Sequence, residues 1–240
     1  MPQASLELAL LSVEFVLLIA TVILLYLSRR EHAGRHELLK LLSLAITALT
    51  RREYFSAVQD ALRDARKNVI AVITGTPPRD EEEEEVLNSI AQRVREASKR
   101  GVRIRYLIPR SAAHLYVGHL LCRAGAEVRY RAGLAVYDLR YMVVDESRVI
   151  IGQPRGQGEE EPTKKGYVIE SPTLASMLLE RFESHWGAEG TVSYEEYVRQ
   201  EVKSLYETNP GLTPETAAGQ LNLPVEEIKR LAGDLWAHGG

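Results

Sequence analysis

The stretch AQRVREASKRGVRIRYLIP, which spans Ala91–Pro109, contains the change of pattern that decides the fold. Its first half places apolar residues at the three-residue spacing of one helix face. Gly101 ends that helix, because glycine readily takes the left-handed conformation that follows many helices. The run VRIRYLI, Val102–Ile108, then predicts a strand, which Pro109 ends. A helix that passes through a glycine turn into a strand is typical of α/β proteins.

The same alternation continues on both sides of this stretch. Upstream, a helix predicted over Glu53–Lys67 leads into the apolar strand Val69–Thr74, and Gly75, Pro77 and Pro78 then break the chain. We predict further helices over Asp80–Arg100, His114–Arg123 and Pro172–Trp186, and further strands over Ala126–Arg131, Tyr137–Asp145, Arg148–Gly152 and the stretch GYVIE. Strand–helix alternation of this kind predicts an α/β fold with a mixed, largely parallel sheet flanked by helices.

An apolar segment precedes this body. Leu8–Leu27 reads LALLSVEFVLLIATVILLYL and contains Glu14 as its one charged residue. About 20 apolar residues in a helix cross the hydrocarbon layer of a bilayer, so we predict one transmembrane helix over residues 8–28. A cleaved signal peptide would instead have basic residues before a shorter apolar core, whereas here Arg29 and Arg30 follow the core.

The charges around this segment predict its orientation in the cell membrane. Residues 1–14 contain no Lys or Arg, whereas basic residues follow the segment at Arg29, Arg30, Arg35 and Lys40. The positive-inside rule therefore places the N-terminus outside and the body in the cytoplasm. The one cysteine, Cys122, suits a reducing compartment and excludes an internal disulfide or a multi-cysteine metal site. We predict no metal and no cofactor.

Residues 29–52 contain a second apolar patch, residues 38–46, which is too short and too charged at its ends to cross a bilayer. We predict a juxtamembrane amphipathic helix for this segment. Such a helix would pack on the soluble domain or lie on the membrane face, and packing is the favoured arrangement.

A small all-α module is predicted after the α/β domain, over residues 191–240. A helix over Tyr194–Tyr206 is followed by two short helices within Leu212–Trp236, and Thr213 caps the first of them with Pro214 at its first position. The arrangement resembles the helix-turn-helix module of winged-helix proteins. From Thr191 to Gly240 there are four Lys or Arg against eight Asp or Glu. Such a surface repels nucleic acid, so a protein partner or a dimer contact is the favoured role.

Three segments of the body resemble the phospholipase D superfamily in their order of elements and turn residues. They are AVQDALRDARKNVIAVI (Ala57–Ile73), the stretch Ala91–Pro109, and DLRYMVVDESRVIIG (Asp138–Gly152), which is followed by a helix that ends in FESHW (Phe182–Trp186). The resemblance covers residues 53–188. It implies the phospholipase D-like fold for this domain. Because one chain has one motif copy, it also implies a homodimer.

The signature motif of that superfamily has the form His-x-Lys-x-x-x-x-Asp, and its chemistry is phosphoryl transfer by a histidine nucleophile. Aligning the final Asp with Asp145 puts Asp138 at the nucleophile position and Arg140 at the lysine position. Arg140 retains the ability to clamp phosphate oxygens, so it is the predicted ligand-binding residue. A carboxylate with a pKa near 4 is a poor proton shuttle at neutral pH and repels an anionic phosphodiester.

Other departures from the family motif also argue against catalysis. The family has Gly-Ser-x-Asn after the second motif strand, where this chain has Gly152 followed by Gln-Pro-Arg. His114 and His119 lie on the preceding helix and its entry, outside the motif, and helical histidines are most often packing or surface residues. Asp138 and Arg140 also form an i,i+2 pair on one sheet face, which has a structural or a ligand-binding interpretation. A phosphoenzyme through Asp138 is the catalytic alternative.

Three functional hypotheses follow. The first is a membrane-anchored, catalytically degenerate phospholipase D-like protein that acts as a ligand-binding or scaffold module for a phosphate-containing ligand at the cytosolic membrane face. The second is an active phosphodiesterase, a lipid hydrolase or a nuclease, that works through Asp138 or a histidine placed by the fold. The third is a membrane-tethered DNA-binding regulator, which the acidic C-terminal module disfavours.

Overall fold

The computed structural model of the protein describes residues 46–134, 140–152 and 165–237. The predicted transmembrane helix (residues 8–28), most of the juxtamembrane segment and Asp138 lie outside the described residues. Within the described ranges, no helix combines the length and the hydrophobicity that a membrane crossing requires.

Eight strands and eight helices are formed by the described residues. The strands are β1 (Ile46–Thr50), β2 (Asn68–Val72), β3 (Arg103–Pro109), β4 (Glu127–Arg131), β5 (Arg140–Val144), β6 (Arg148–Gly152), β7 (Lys165–Glu170) and β8 (Thr191–Ser193). The helices are α1 (Arg51–Asp64), α2 (Glu81–Lys99), α3 (Leu115–Arg123), α4 (Pro172–Trp186), α5 (Tyr194–Thr208), α6 (Pro214–Leu221), α7 (Val225–Ala232) and α8 (Asp234–Ala237). A single 3-10 turn, Ala112–His114, precedes α3.

The strands form one mixed sheet in the order β1-β7-β6-β5-β2-β3-β4-β8. β2 with β3 and β3 with β4 are paired parallel; β2 with β5, β5 with β6, β6 with β7, and β4 with β8 are paired antiparallel. The prediction of a mixed sheet flanked by helices is confirmed, but the prediction that it is largely parallel is wrong. Helices α2 and α3 return the chain for parallel pairing, whereas the short turn at residues 145–147 joins β5 and β6 as a hairpin.

Both faces of the central strands are buried, so the sheet has two apolar layers. On one face, Val69, Ala71 and Tyr106 contribute to the core under the helices that follow the early strands. On the other face, Ile70 and Val72 contribute to a second core with α4. Successive side chains of a strand point to opposite faces, which explains why β2 is apolar from Val69 to Val72.

Helix beginnings follow their capping residues. Asp80 accepts a hydrogen bond from the backbone N–H of Glu83 at 2.8 Å and so caps α2. Thr213 caps α6 through the N–H of Thr216 at 3.2 Å, with Pro214 at the first position, as the sequence predicts. Residues 46–50, by contrast, form strand β1 although they lie within the segment predicted as a juxtamembrane helix. The β-branched residues in ITALT favour a strand there.

The C-terminal residues form α5–α8. The two short helices predicted within Leu212–Trp236 are α6 and α7. The turn between them contains Asn222, whose φ of 52° is left-handed and is tolerated by asparagine more readily than by most residues. Leu221, Leu223 and Ile228 are buried in the core that the module shares with the sheet.

Candidate functional site

Asp145 is the last residue of residues 138–145, which align with the family motif and are called the motif-like stretch here. Its side chain has a structural role. One of its carboxylate oxygens accepts hydrogen bonds from the backbone N–H groups of Lys67 at 2.8 Å and Asn68 at 3.1 Å. The other accepts from the N–H of Arg66 at 2.9 Å. The side chain therefore ties the β5–β6 turn to the turn between α1 and β2.

Arg140 lies at the opposite end of the same strand. It begins β5, whereas Asp145 follows the last residue of β5. Five residues of extended chain separate them by about 16 Å. The structure therefore does not bring these two predicted site residues together, and Asp138 lies outside the described residues.

Arg140 borders a cavity of about 810 Å³ between the sheet and helices α1, α2 and α3. We call it the central cavity. Its wall is mostly apolar, with Val58 on α1, Ile90 on α2 and Met142 on β5 among the residues that form it. Its polar side chains include Tyr54, Gln59, Thr74, Tyr106, His114 and Arg140. This combination of an apolar wall with a few polar groups is typical of a small-molecule site.

Gly152 and Gly166 lie on adjacent strands beside Arg140 and leave room for the ring of Tyr54. Arg140 pairs with Gly152 on β6, and Gly152 pairs with Gly166 on β7. The ring of Tyr54 lies over both glycines: a Cβ on Gly152 would lie 3.1 Å from its Oη, and a Cβ on Gly166 would collide with its Cδ2. The glycine pair therefore determines where Tyr54 packs.

Tyr54 is close enough to Arg140 for the charge of the guanidinium to act on its hydroxyl. Burial raises the pKa of Tyr54, and the positive charge of Arg140 opposes that rise. The phenol is therefore a neutral hydrogen-bonding group next to a cation at physiological pH. A ligand anion at Arg140 would have a hydroxyl donor beside it.

Tyr106 contributes a second hydroxyl to the central cavity. The residue is only 2% exposed, and its hydroxyl makes no hydrogen bond within the part of the chain that the structure describes. Burial raises the pKa of Tyr106, so this phenol is also neutral. Most buried hydroxyls in folded proteins have a partner.

His114 also lines the central cavity. The residue is 8% exposed, and its Nδ1 lies 3.0 Å from the carbonyl oxygen of Pro109. A carbonyl only accepts, so Nδ1 donates in this hydrogen bond. A side chain on Gly75, whose φ is 70°, would collide with Ile108 and press on His114.

His119 does not reach the central cavity. Its Nδ1 lies 3.1 Å from the hydroxyl of Tyr194 and 3.6 Å from Glu227, so it joins α3 to α5 and α7. Burial lowers the pKa of His119. Burial raises the pKa of the neighbouring Cys122 thiol to about 12, which disfavours the thiolate at neutral pH. These residues attach the C-terminal helices to the sheet domain.

Both acidic and basic side chains border the central cavity. Glu82, Glu83 and Glu85 from the first turns of α2 border it, together with Arg52 and Arg79. Arg79 forms an ion pair with Glu83 at 3.1 Å. Among the described residues, no cluster of three or more His, Cys, Asp or Glu side chains is arranged to hold a metal ion.

The sequence signals that point to Arg140 differ from those that point to Tyr54 and Tyr106. Arg140 was found from its position in the motif-like stretch. Tyr54 and Tyr106 have no motif, and the available hint is indirect: glycines inside strands, such as Gly166, often mark a close approach by another group.

No protein-family model matches the chain, and no curated protein sequence is detectably similar to it. Solved structures are similar to it at low identity. Nuc, a phospholipase D family member from Salmonella typhimurium, aligns with 62% of this chain and 97% of its own at 19% identity and a TM-score of 0.47. NucT from Helicobacter pylori aligns with 62% of this chain and 98% of its own at 12% identity and a TM-score of 0.46.

A third similar structure is TrmBL2, an archaeal chromatin protein. It aligns with 66% of this chain and 61% of its own at 15% identity and a TM-score of 0.43. None of these values is high enough to establish a shared activity.

Proposed function

We propose that the protein is a membrane-anchored, catalytically degenerate phospholipase D-like module that binds a phosphate-containing ligand in the central cavity. The observation that carries the proposal is the position of Arg140, which is half-buried on the wall of that cavity beside the hydroxyl of Tyr54. The anchor and its orientation rest on the apolar segment at residues 8–28 and the basic residues after it.

Arginine suits an oxyanion at this place. Its planar guanidinium forms paired hydrogen bonds with phosphate oxygens and stays charged at any physiological pH. A partly enclosed apolar wall lowers the local dielectric constant, so the attraction of a bound anion is stronger than on an open surface. The Tyr54 hydroxyl adds a neutral donor to the same anion.

The motif-like stretch supports binding without turnover. Asp138 occupies the position at which the resemblance expects a histidine nucleophile, and Asp145 is engaged by three backbone amides. A carboxylate at the nucleophile position repels a phosphodiester and is weak as a base at neutral pH.

A second candidate function is phosphodiester hydrolysis through His114. The observation that favours it is that His114 lines the same cavity as Arg140, with its tautomer fixed by the Pro109 carbonyl. An imidazole whose Nδ1 donates to a carbonyl can use its Nε2 as a base or nucleophile. This candidate needs no histidine in the motif-like stretch.

The geometry of α7 argues against the DNA-binding hypothesis. In helix-turn-helix proteins, residues at the start of the second helix contact base edges. Here Glu227, in the first turn of α7, has a side chain only 14% exposed, which bonds to Arg230 at 3.0 Å and lies 3.6 Å from His119. A surface for a protein partner, or for the second subunit of a homodimer, is therefore our proposal for the module.

The test uses the full chain in lipid nanodiscs with bis(4-nitrophenyl) phosphate and with supercoiled plasmid. We compare wild type with Arg140→Gln and His114→Asn, because the asparagine amide can still donate to the Pro109 carbonyl. Arg148→Gln is the matched control. Arg148 lies on β6, at the end of the β5–β6 pair opposite to Arg140, and forms an exposed ion pair with Glu170. We expect diester binding that only Arg140→Gln abolishes, with no nitrophenol released. Turnover lost in both cavity variants would instead establish the hydrolase.

Membrane attachment and assembly are tested separately. We expect the chain to remain in the membrane fraction after alkaline carbonate extraction and to elute as a dimer in mild detergent. Protease added to sealed, right-side-out cells should leave the body intact. Extraction by carbonate, or digestion from outside, would contradict the proposed anchor or its orientation.

A further inference from the structure

The central cavity extends well beyond the space that a phosphate needs. A phosphate contacts one or two side chains, whereas this cavity of about 810 Å³ lies within the size range of sites for whole organic ligands. Most of the remaining wall is apolar and comes from α1, α2 and β5, with Val58, Val86, Leu87, Ile90 and Met142 as its main residues.

The buried hydroxyl of Tyr106 is a second feature of the central cavity that points to a bound ligand. Tyr106 lies in the middle of β3, where it pairs with Ala71, and its side chain is on the cavity face of the sheet. The hydroxyl has no protein partner among the described residues. A phenylalanine would fill the same space without burying a polar atom, so the hydroxyl destabilises the empty protein. A ligand atom that accepts its hydrogen bond removes that penalty.

From these features we propose that the ligand is an organic phosphate with an apolar, aromatic-sized body. Its anion lies against Arg140 and Tyr54, its body fills the apolar part of the central cavity, and an acceptor on the body bonds to the Tyr106 hydroxyl. This inference deepens the proposed function and rests on it.

The experiment is calorimetric titration of the full chain in nanodiscs with three kinds of probe. Inorganic phosphate tests the anion alone, phenyl phosphate adds the apolar body, and the 2-, 3- and 4-nitrophenyl phosphates add an acceptor at three distances from the phosphorus. The variants are Arg140→Gln and Tyr106→Phe. Tyr116→Phe is the matched control, because that hydroxyl bonds to Glu84 on the surface and lies outside the cavity wall.

We expect phenyl phosphate to bind at least about tenfold more tightly than inorganic phosphate, from burial of its ring. At least one nitrophenyl isomer should bind more tightly still, and Tyr106→Phe should weaken that isomer about fivefold. The same variant should change the affinity of phosphate and phenyl phosphate less than twofold. Arg140→Gln should weaken all the probes, and Tyr116→Phe none of them.

Other results would contradict this inference, the proposed function or both. If phenyl phosphate binds no more tightly than phosphate, or if no isomer responds to Tyr106→Phe, the inference is overturned while Arg140-dependent phosphate binding keeps the proposed function. A hydroxyl that only holds a trapped water would give that outcome. If phosphate binding is absent or independent of Arg140, the proposed function fails, even where a Tyr106-dependent isomer still binds. If no probe binds, both fail.

Discussion

Replacing Asp145 with alanine removes the acceptor of three backbone amides at once. A hydrogen bond to a charged group contributes about 1.5–3 kcal/mol where water is excluded. Arg66 and Lys67 are exposed, so water replaces part of each lost bond, and we take about 0.5–1 kcal/mol for each of the three. Asp145 also has a φ of 48°, a conformation that alanine tolerates less well than aspartate. The total expected loss is about 3 kcal/mol.

Asp145→Asn separates the charge from the hydrogen bonds. If the asparagine oxygen takes the place of Oδ1, it retains the bonds from Lys67 and Asn68 and loses the bond from Arg66. Asparagine also tolerates a positive φ. We therefore expect a loss of about 1 kcal/mol, which corresponds to roughly 2–4 °C in Tm for a domain of this size, against roughly 6–12 °C for alanine.

The assay is urea unfolding of the full chain in mild detergent, followed by fluorescence of the two tryptophans, Trp186 and Trp236. Glu146→Ala is the control, since Glu146 lies in the same turn with a positive φ and makes one exposed bond to Asn68. It should change stability by about 0.5 kcal/mol. The structural role of Asp145 would be refuted if Asp145→Ala were as stable as this control. It would also be refuted if Asp145→Ala lost ligand binding but kept normal stability.

Three further predictions concern stability. Tyr106→Phe should raise the stability of the ligand-free protein by about 1 kcal/mol in urea unfolding, because it removes a buried hydroxyl without a protein partner; a loss of stability would contradict the unsatisfied hydroxyl. Gly166→Ala should lower Tm by several degrees, because its Cβ collides with Tyr54; an unchanged Tm would mean that Tyr54 lies elsewhere. Burial lowers the pKa of His119 below the 6.5 of the unfolded chain, so stability should fall as pH drops below about 6.5, and His119→Gln should flatten that slope between pH 7.5 and 5.5.

The local structure was largely predictable because it depends on residues close in sequence. The helix over Pro172–Trp186 and the strand over Arg148–Gly152 have the predicted bounds, and Thr213 caps its helix as expected. The direction of strand pairing was not predictable in the same way. It depends on whether a helix or a short turn joins two strands, and a short turn after Val144 makes β5 and β6 antiparallel.

The candidate site was only partly predictable, because it is assembled from distant parts of the chain. Position in the motif-like stretch identified Arg140, but it grouped Asp145 with Arg140 although the strand keeps them apart. The role proposed for the Tyr106 hydroxyl depends on the surrounding cavity, and a tyrosine in an apolar strand otherwise indicates packing. His114 reaches the cavity because the 3-10 turn Ala112–His114 aims it there, and the sequence gives no sign of that turn.

The central claim is that Arg140 holds the phosphate of a ligand in the central cavity. Crystals of the protein soaked in tungstate, a heavy phosphate analogue, test it most directly through the anomalous difference map. We predict a peak within hydrogen-bonding distance of the Arg140 guanidinium and the Tyr54 hydroxyl, which disappears in Arg140→Gln crystals. A map with no peak in the cavity, or with its strongest peak at surface arginines such as Arg103 or Arg148, would contradict the claim.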